Sequence, residues 1–184
     1  MTELTKPTIH SVKKIAASRL FHVEQVELTF SNGQKRIYER LSQSSHRAVM
    51  IIPMINEDTF LLVKEYSVGI DSYTLSFPKG QVEKHEDLFV GANRELMEEV
   101  GKGAHSFEYL KDLMLSPNYM TNSISVVIAN DLYDKKLEGD EPEPLIVIPW
   151  KLSDIDELLE REDFLESRSI TALLLLWKKW KSNI

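Results

Sequence analysis

The sequence predicts an α+β fold: a mixed sheet between helices, preceded by an N-terminal antiparallel β subdomain. Three observations lead there. Apolar, β-rich runs precede and follow one strongly periodic helical stretch near residues 87–100. Near the N-terminus Asn32-Gly33 stands between two extended runs, the strongest short-range hairpin signal. A last stretch, 169–177, repeats apolar residues at helical spacing.

Each element has its own reason. Val23, Val26, Leu28 and Phe30 alternate with one slip, Ser31-Asn32-Gly33 turns the chain, and 36–40 returns it, so residues 9–41 read as an N-terminal hairpin. The runs 48–55 and 59–66, separated by Asn56-Glu57-Asp58, read as a second hairpin. Residues 73–77 make a short strand that leads into Pro78-Lys79-Gly80. Phe89, Ala92, Leu96 and Val100 form one apolar stripe of a helix over 87–100. Gly101 ends it, because glycine enters the left-handed conformation without steric cost. The runs 107–115, 123–131 and 145–150 read as strands, with an acidic loop at 138–144 before the last. Residues 152–159 suggest a short helix. Ser169 is the expected cap of the final one, with Ile170, Leu173, Leu174 and Trp177 as its core stripe. The expected division is a β subdomain over 1–46 and a main domain over 47–184.

Composition narrows the function. A chain of 184 residues suits one domain with a small appendage and can bury a real core. With 22 basic and 29 acidic residues, a formal charge of −7 and no basic stripe, nucleic acid is excluded as the expected partner. The absence of cysteine rules out a disulfide scaffold and thiolate metal ligation. Met1–Arg19 holds no apolar core of a secretory signal, and the longest apolar run, 170–177, is too short to span a bilayer. The expectation is a cytoplasmic protein with no membrane partner.

The chemistry lies between residues 80 and 101. A glycine, five residues, a glutamate and seven residues lead into Arg94-Glu95-Leu96-Met97-Glu98-Glu99-Val100-Gly101. Glu95, Glu98 and Glu99 stand at i, i+3 and i+4, so one helix face gathers three carboxylates that repel each other by a few tenths of a kcal/mol per pair. Hard divalent cations between those oxygens remove the repulsion, and an all-oxygen set suits Mg²⁺ or Mn²⁺. Taken alone, Glu-Leu-Met-Glu-Glu reads as a solvated acidic face with Arg94 paired to Glu98. Gly80, Glu86, Arg94 and Gly101 in register turn the reading toward a site.

This pattern resembles the Nudix box, the signature of hydrolases that cut a nucleoside diphosphate linked to another group. Every glycine and charged position matches; only Lys102 departs, where an aliphatic residue is usual. The similarity extends to Lys6–Ile9, Ser18–Phe21, Phe30–Gly33, Arg40, Ala92–Leu96 and Leu137–Pro144, and resembles the ADP-ribose pyrophosphatase branch of the superfamily. The resemblance implies an α/β/α sandwich, a divalent cation, and a homodimer formed through the N-terminal subdomain. It also implies hydrolysis of ADP-ribose, NADH and diadenosine triphosphate to AMP and a second phosphorylated product.

By the same resemblance, Glu95, Glu98, Glu99, Glu143 and the Lys79 carbonyl are candidate metal ligands, with Glu95 and Glu99 foremost. Glu141 is the preferred general base, with Glu143 closing over substrate. Glu98 and Arg94 complete the catalytic group, Arg94 by orienting the glutamates. Gly80, Glu86 and Gly101 are structural, Glu86 bracing the loop against the helix. Arg40, Arg47, Pro117 and Tyr119 are candidate substrate contacts, and Pro117 with Tyr119 fits a mixed specificity. No arginine follows Lys64-Glu65-Tyr66-Ser67-Val68, where that branch often has one, so its ribose-phosphate contacts do not carry over. Two other readings stay open: a nucleoside triphosphate pyrophosphohydrolase, and a non-catalytic nucleotide sensor.

Overall fold

The computed structural model describes residues 4–42 and 47–182. They form two compact units, one of residues 4–42 with 114–123, the other of 47–113 with 124–182. The expected boundary at 46/47 abuts residues 43–46, which lie outside the described residues. Sequence reasoning did not place 114–123 with the N-terminal unit.

The first unit is a three-stranded antiparallel sheet in the order β1-β2-β3, with β1 at Thr8–Ala17, β2 at His22–Thr29 and β3 at Lys35–Ser42. The hairpin expected over 9–41 is its β2–β3 half, and Gly33 turns it at φ +81°. The strand β1 adds a third member. It is exposed along almost its whole length and its pairing slips twice, so it shows no alternation to read. Residues 114–123 join through the Leu41–Met120 bridge and the bond from the Leu41 amide to the Tyr119 carbonyl, 2.7 Å.

The second unit holds two sheets. One has the order β7-β4-β9-β8, from β4 (Arg47–Pro53), β7 (Lys79–Val82), β8 (Lys102–Met114) and β9 (Ser123–Asp134). The other has the order β10-β5-β6, from β5 (Thr59–Ser67), β6 (Ser72–Ser76) and β10 (Ile146–Lys151). The helices are α1 (Leu88–Glu99), α2 (Ile155–Leu159), entered through a 3-10 turn at Leu152–Asp154, and α3 (Ser167–Lys181). Among the described residues no helix is long and apolar enough to cross a membrane.

The two central strands explain the layering. β4 and β9 run parallel, and their apolar runs bury both faces. Met50, Ile52, Val126 and Ile128 point into one core with Phe60, Leu62, Phe77, Leu158 and the α3 residues Ala172, Leu173 and Leu176. Val49, Ile51, Val127 and Ala129 point into the other with Ala92 and Leu96 of α1. The mixed sheet therefore lies between helices, as expected.

Three expectations are corrected. β4 and β5 do not form a paired hairpin: among the described residues their one bridge is the isolated Met54–Phe60 pair, after which they enter different sheets. Both flanks of β4 are taken, by β7 and β9, so no edge is left for β5. The cap of α3 is Glu166, whose carboxylate accepts from the Ser169 amide at 2.9 Å; Ser169 lies inside the helix, fully buried, and its hydroxyl accepts from the Phe77 amide. In the α3 stripe Leu174 is exposed, and Leu173 and Leu176 carry the burial. The end of α1 follows expectation, with Gly101 at φ +75°.

Candidate active site

The box is a strand, a loop and a helix. Strand β7 pairs with β4, Val49 opposite Gly80 and Met50 opposite Lys79, and so fixes the start of the box on the central sheet. The Asp87 carboxylate caps α1 by accepting from the Phe89 amide at 2.9 Å. Ala92 and Leu96 bury one side of α1, and Glu95 and Glu99 lie against Gly80 and the Lys79 amide of β7. Gly80 is required by contact: a Cβ there would lie 2.0 Å from the Glu95 carboxyl carbon. Gly91, which sequence reasoning passed over, lets Glu86 come close; a Cβ there would lie 2.9 Å from Glu86 Oε2.

Arg94 organises the carboxylates. Its Nε donates to Glu86 at 3.2 Å, Nη1 to Glu95 at 2.8 Å and to Glu98 at 3.0 Å, and Nη2 to the Gln81 carbonyl at 2.7 Å. Glu86 also accepts from the Glu83 amide at 2.8 Å, so it ties the loop to the helix. The Arg94 guanidinium holds the Glu86 carboxyl below its ordinary range, against the opposing effect of burial. Glu99 is buried, with the Lys79 amide donating to it at 3.2 Å. Burial pushes its carboxyl up to about 8, and burial also raises Glu95. The Lys79 ammonium is held by Glu65 at 2.8 Å and by the Ser76 hydroxyl at 3.2 Å.

Lys79, Gly80, Arg94, Glu95, Glu98 and Glu99 line a cleft of about 870 Å³ together with Glu138, Gly139, Asp140 and Glu141 from the loop after β9. Burial, then the nearby charges of Glu65 and Asp140, raise the Glu141 carboxyl. The lining holds seven carboxylates against Lys79, Lys84 and Arg94, so it repels a phosphate anion unless cations enter. Its donors are all oxygen, which suits a hard divalent ion. Among the described residues no three carboxylates already converge as a metal site; Arg94 and the Lys79 amide hold them instead. Burial disfavours the charged forms of the Glu99 and Glu95 carboxyls, and a bound cation would restore them, which is the feature that fits a metal ion.

The other candidates lie elsewhere. Glu143 does not line the cleft and accepts from the Tyr73 hydroxyl at 2.7 Å. Arg47 donates to the Glu86 carbonyl at 3.4 Å, a contact to the back of the box. Arg40, Pro117 and Tyr119 belong to the first unit and are not among the lining residues; Arg40 pairs with Glu24 at 2.9 Å. Glu65 escaped the sequence reading because no spacing links it to the box; it reaches Lys79 only through the pairing of the folded sheet.

A strand–loop–helix presenting three glutamates, braced by one arginine beside an acidic loop, defines a class. The chain belongs to the Nudix hydrolases: the NUDIX domain matches residues 44–174, and divalent metal dependence is general in the family. Its N-terminal part matches the NudE-type Nudix hydrolase N-terminal domain over residues 7–40. The chain is 46% identical to the ADP compounds hydrolase NudE of Escherichia coli (strain K12), covering 98% of each chain. It is 27% identical to the ADP-ribose pyrophosphatase of Bacillus subtilis (strain 168), over 91% of this chain and 93% of that one. A solved ADP compounds hydrolase superposes with a TM-score of 0.92 at 45% identity, covering 100% of this chain and 98% of that chain.

Proposed function

We propose that the chain hydrolyses the pyrophosphate linkage of ADP-X compounds, among them ADP-ribose, NADH and diadenosine triphosphate, releasing AMP and a second phosphorylated product. The observation that carries this is the cleft itself, lined by Lys79, Gly80, Arg94 and the three box glutamates together with Glu138–Glu141 of the acidic loop. The likeness to the Escherichia coli ADP compounds hydrolase along nearly the whole chain supports the substrate class.

The site residues divide the work. Glu95, Glu98 and Glu99, with the Lys79 carbonyl, would hold Mg²⁺ or Mn²⁺; bound there, the ion neutralises charge on phosphate oxygens and acidifies a bound water. Arg94 fixes the glutamates before substrate arrives, so little reorganisation is needed during reaction. In hydrolysis a water oxygen bonds to one phosphorus while the bridging P–O bond breaks. Glu141 accepts the water's proton, and its raised carboxyl pKa makes it a better base near neutrality than an ordinary carboxylate. Glu143 joins after release from Tyr73, as the loop closes. Arg40, Arg47, Pro117 and Tyr119 remain candidate substrate contacts.

The protein acts as a homodimer through the N-terminal subdomain. Strand β1 is an edge of its sheet, ten residues long, with Ile9, Val12 and Ile15 about half exposed, which is a surface suited to a second copy. The acidic, cysteine-free composition agrees with a cytoplasmic setting and with no nucleic acid or membrane partner. The test is AMP release from ADP-ribose with Mg²⁺, its loss on chelation and its return on adding metal. Tight ADP-ribose binding without turnover in Mg²⁺ would instead make the chain a sensor.

A further inference from the structure

We propose that Lys136 is a positioning residue for the reaction: it stitches the acidic loop to the C-terminal end of α1 and so sets where Glu141 stands. The proposal rests on the reading of Glu141 as the base. The last turn of α1 has no basic residue and carries Glu98 and Glu99, the wrong charge for a helix C-terminus. Its final carbonyls also need donors. Both needs are met by three consecutive residues beyond β9. The Lys135 amide donates to the Gly101 carbonyl at 3.1 Å, the Lys136 ammonium to the Glu98 carbonyl, and the Leu137 amide to the Met97 carbonyl at 3.1 Å.

The fit around the stitch is close. A Cβ on Gly101 would lie 3.3 Å from Lys136 Cδ, so the glycine that ends the helix also makes room for the lysine stem. Gly139 then passes Glu98, where an added Cβ would lie 3.5 Å from the Glu98 Cβ. Asp140 and Glu141 follow directly into the cleft. Lys136 is itself exposed, so replacing it removes little buried contact. A change in turnover therefore reports loop placement rather than folding.

The experiment is a double-mutant cycle on AMP release from ADP-ribose in Mg²⁺, with thermal melts of every variant. Lys136→Met is expected to lower kcat about tenfold with KM within about twofold, and Lys136→Arg to restore most of it. In a Glu141→Gln background, Lys136→Met is expected to cost less than about twofold, because the group it positions has already lost its base. Should Lys136→Met fail to fold, Lys136→Gln, which keeps a donor, carries the same cycle with a loss of about threefold. Equal losses in both backgrounds, a change in KM alone, or no loss at all would overturn the proposal. Wild-type turnover in Glu141→Gln alone would overturn the reading of Glu141, and the positioning role with it.

Discussion

At the residue scale the site is held by one cation and one missing side chain. Arg94 reaches Glu86, Glu95, Glu98 and the Gln81 carbonyl at once, and Gly80 leaves the space that the Glu95 carboxylate occupies. Gly80→Ala places its Cβ on the end of a flexible side chain, so Glu95 yields and the backbone does not. The expected result is a melting temperature close to wild type with kcat lowered about 100-fold, the order that an ångström of misplacement costs. Thermal melts and steady-state kinetics on one preparation check it. Glu99→Gln should fold and lose kcat by several orders of magnitude; near wild-type turnover would remove the box from the mechanism. Glu141→Gln should lower kcat by about 10²–10⁴ with little change in KM, whereas a rise in KM alone would make the loop a binding element.

The same scale shows what could be read from sequence. The box residues were legible because their chemistry is tied to helical spacing, which is local. Glu65 beside Lys79 and Lys136 on the Glu98 carbonyl were not, since those contacts are made by tertiary packing across 14 and 38 positions. Ser169 misled for a physical reason: a serine near a helix start reads as a cap, yet Glu166 does that work and Ser169 is drawn inward to bond Phe77.

At the element scale the cap of α3 gives a pH-dependent prediction. Burial alone would raise the Glu166 carboxyl; the Arg168 guanidinium and the Ser169 donors outweigh it and hold the carboxyl below its ordinary value. A lowered folded pKa contributes stability above the unfolded pKa and loses it as pH falls through the folded value. Glu166→Ala is therefore expected to destabilise by about 1–2 kcal/mol at pH 7, with the difference shrinking below about pH 4. Denaturant melts of both proteins at pH 7 and pH 3.5 measure it; a difference constant with pH would remove the carboxylate charge from the capping. Elements with a continuous apolar run, such as β4 and β9, or with a periodic buried face, such as α1 and α3, were visible in sequence. β1 was not, because a strand exposed on almost every residue has no alternation. The partner of β5 was not either, because apolar runs do not say which edge is already occupied.

At the scale of the whole molecule, the proposed homodimer would use the long exposed edge of β1. Val12→Asp with Ile9→Asp, both on that strand, is expected to turn a dimer into a monomer in sedimentation equilibrium. A wild-type chain that sediments as a monomer at micromolar concentration would remove the dimer. The most direct test of the central claim compares products from ADP-ribose, NADH, diadenosine triphosphate and dGTP side by side in Mg²⁺, separated by chromatography. The account predicts AMP from the first three and dGTP left intact. Pyrophosphate released from dGTP, with the ADP compounds untouched, would contradict it and make the chain a nucleoside triphosphate pyrophosphohydrolase.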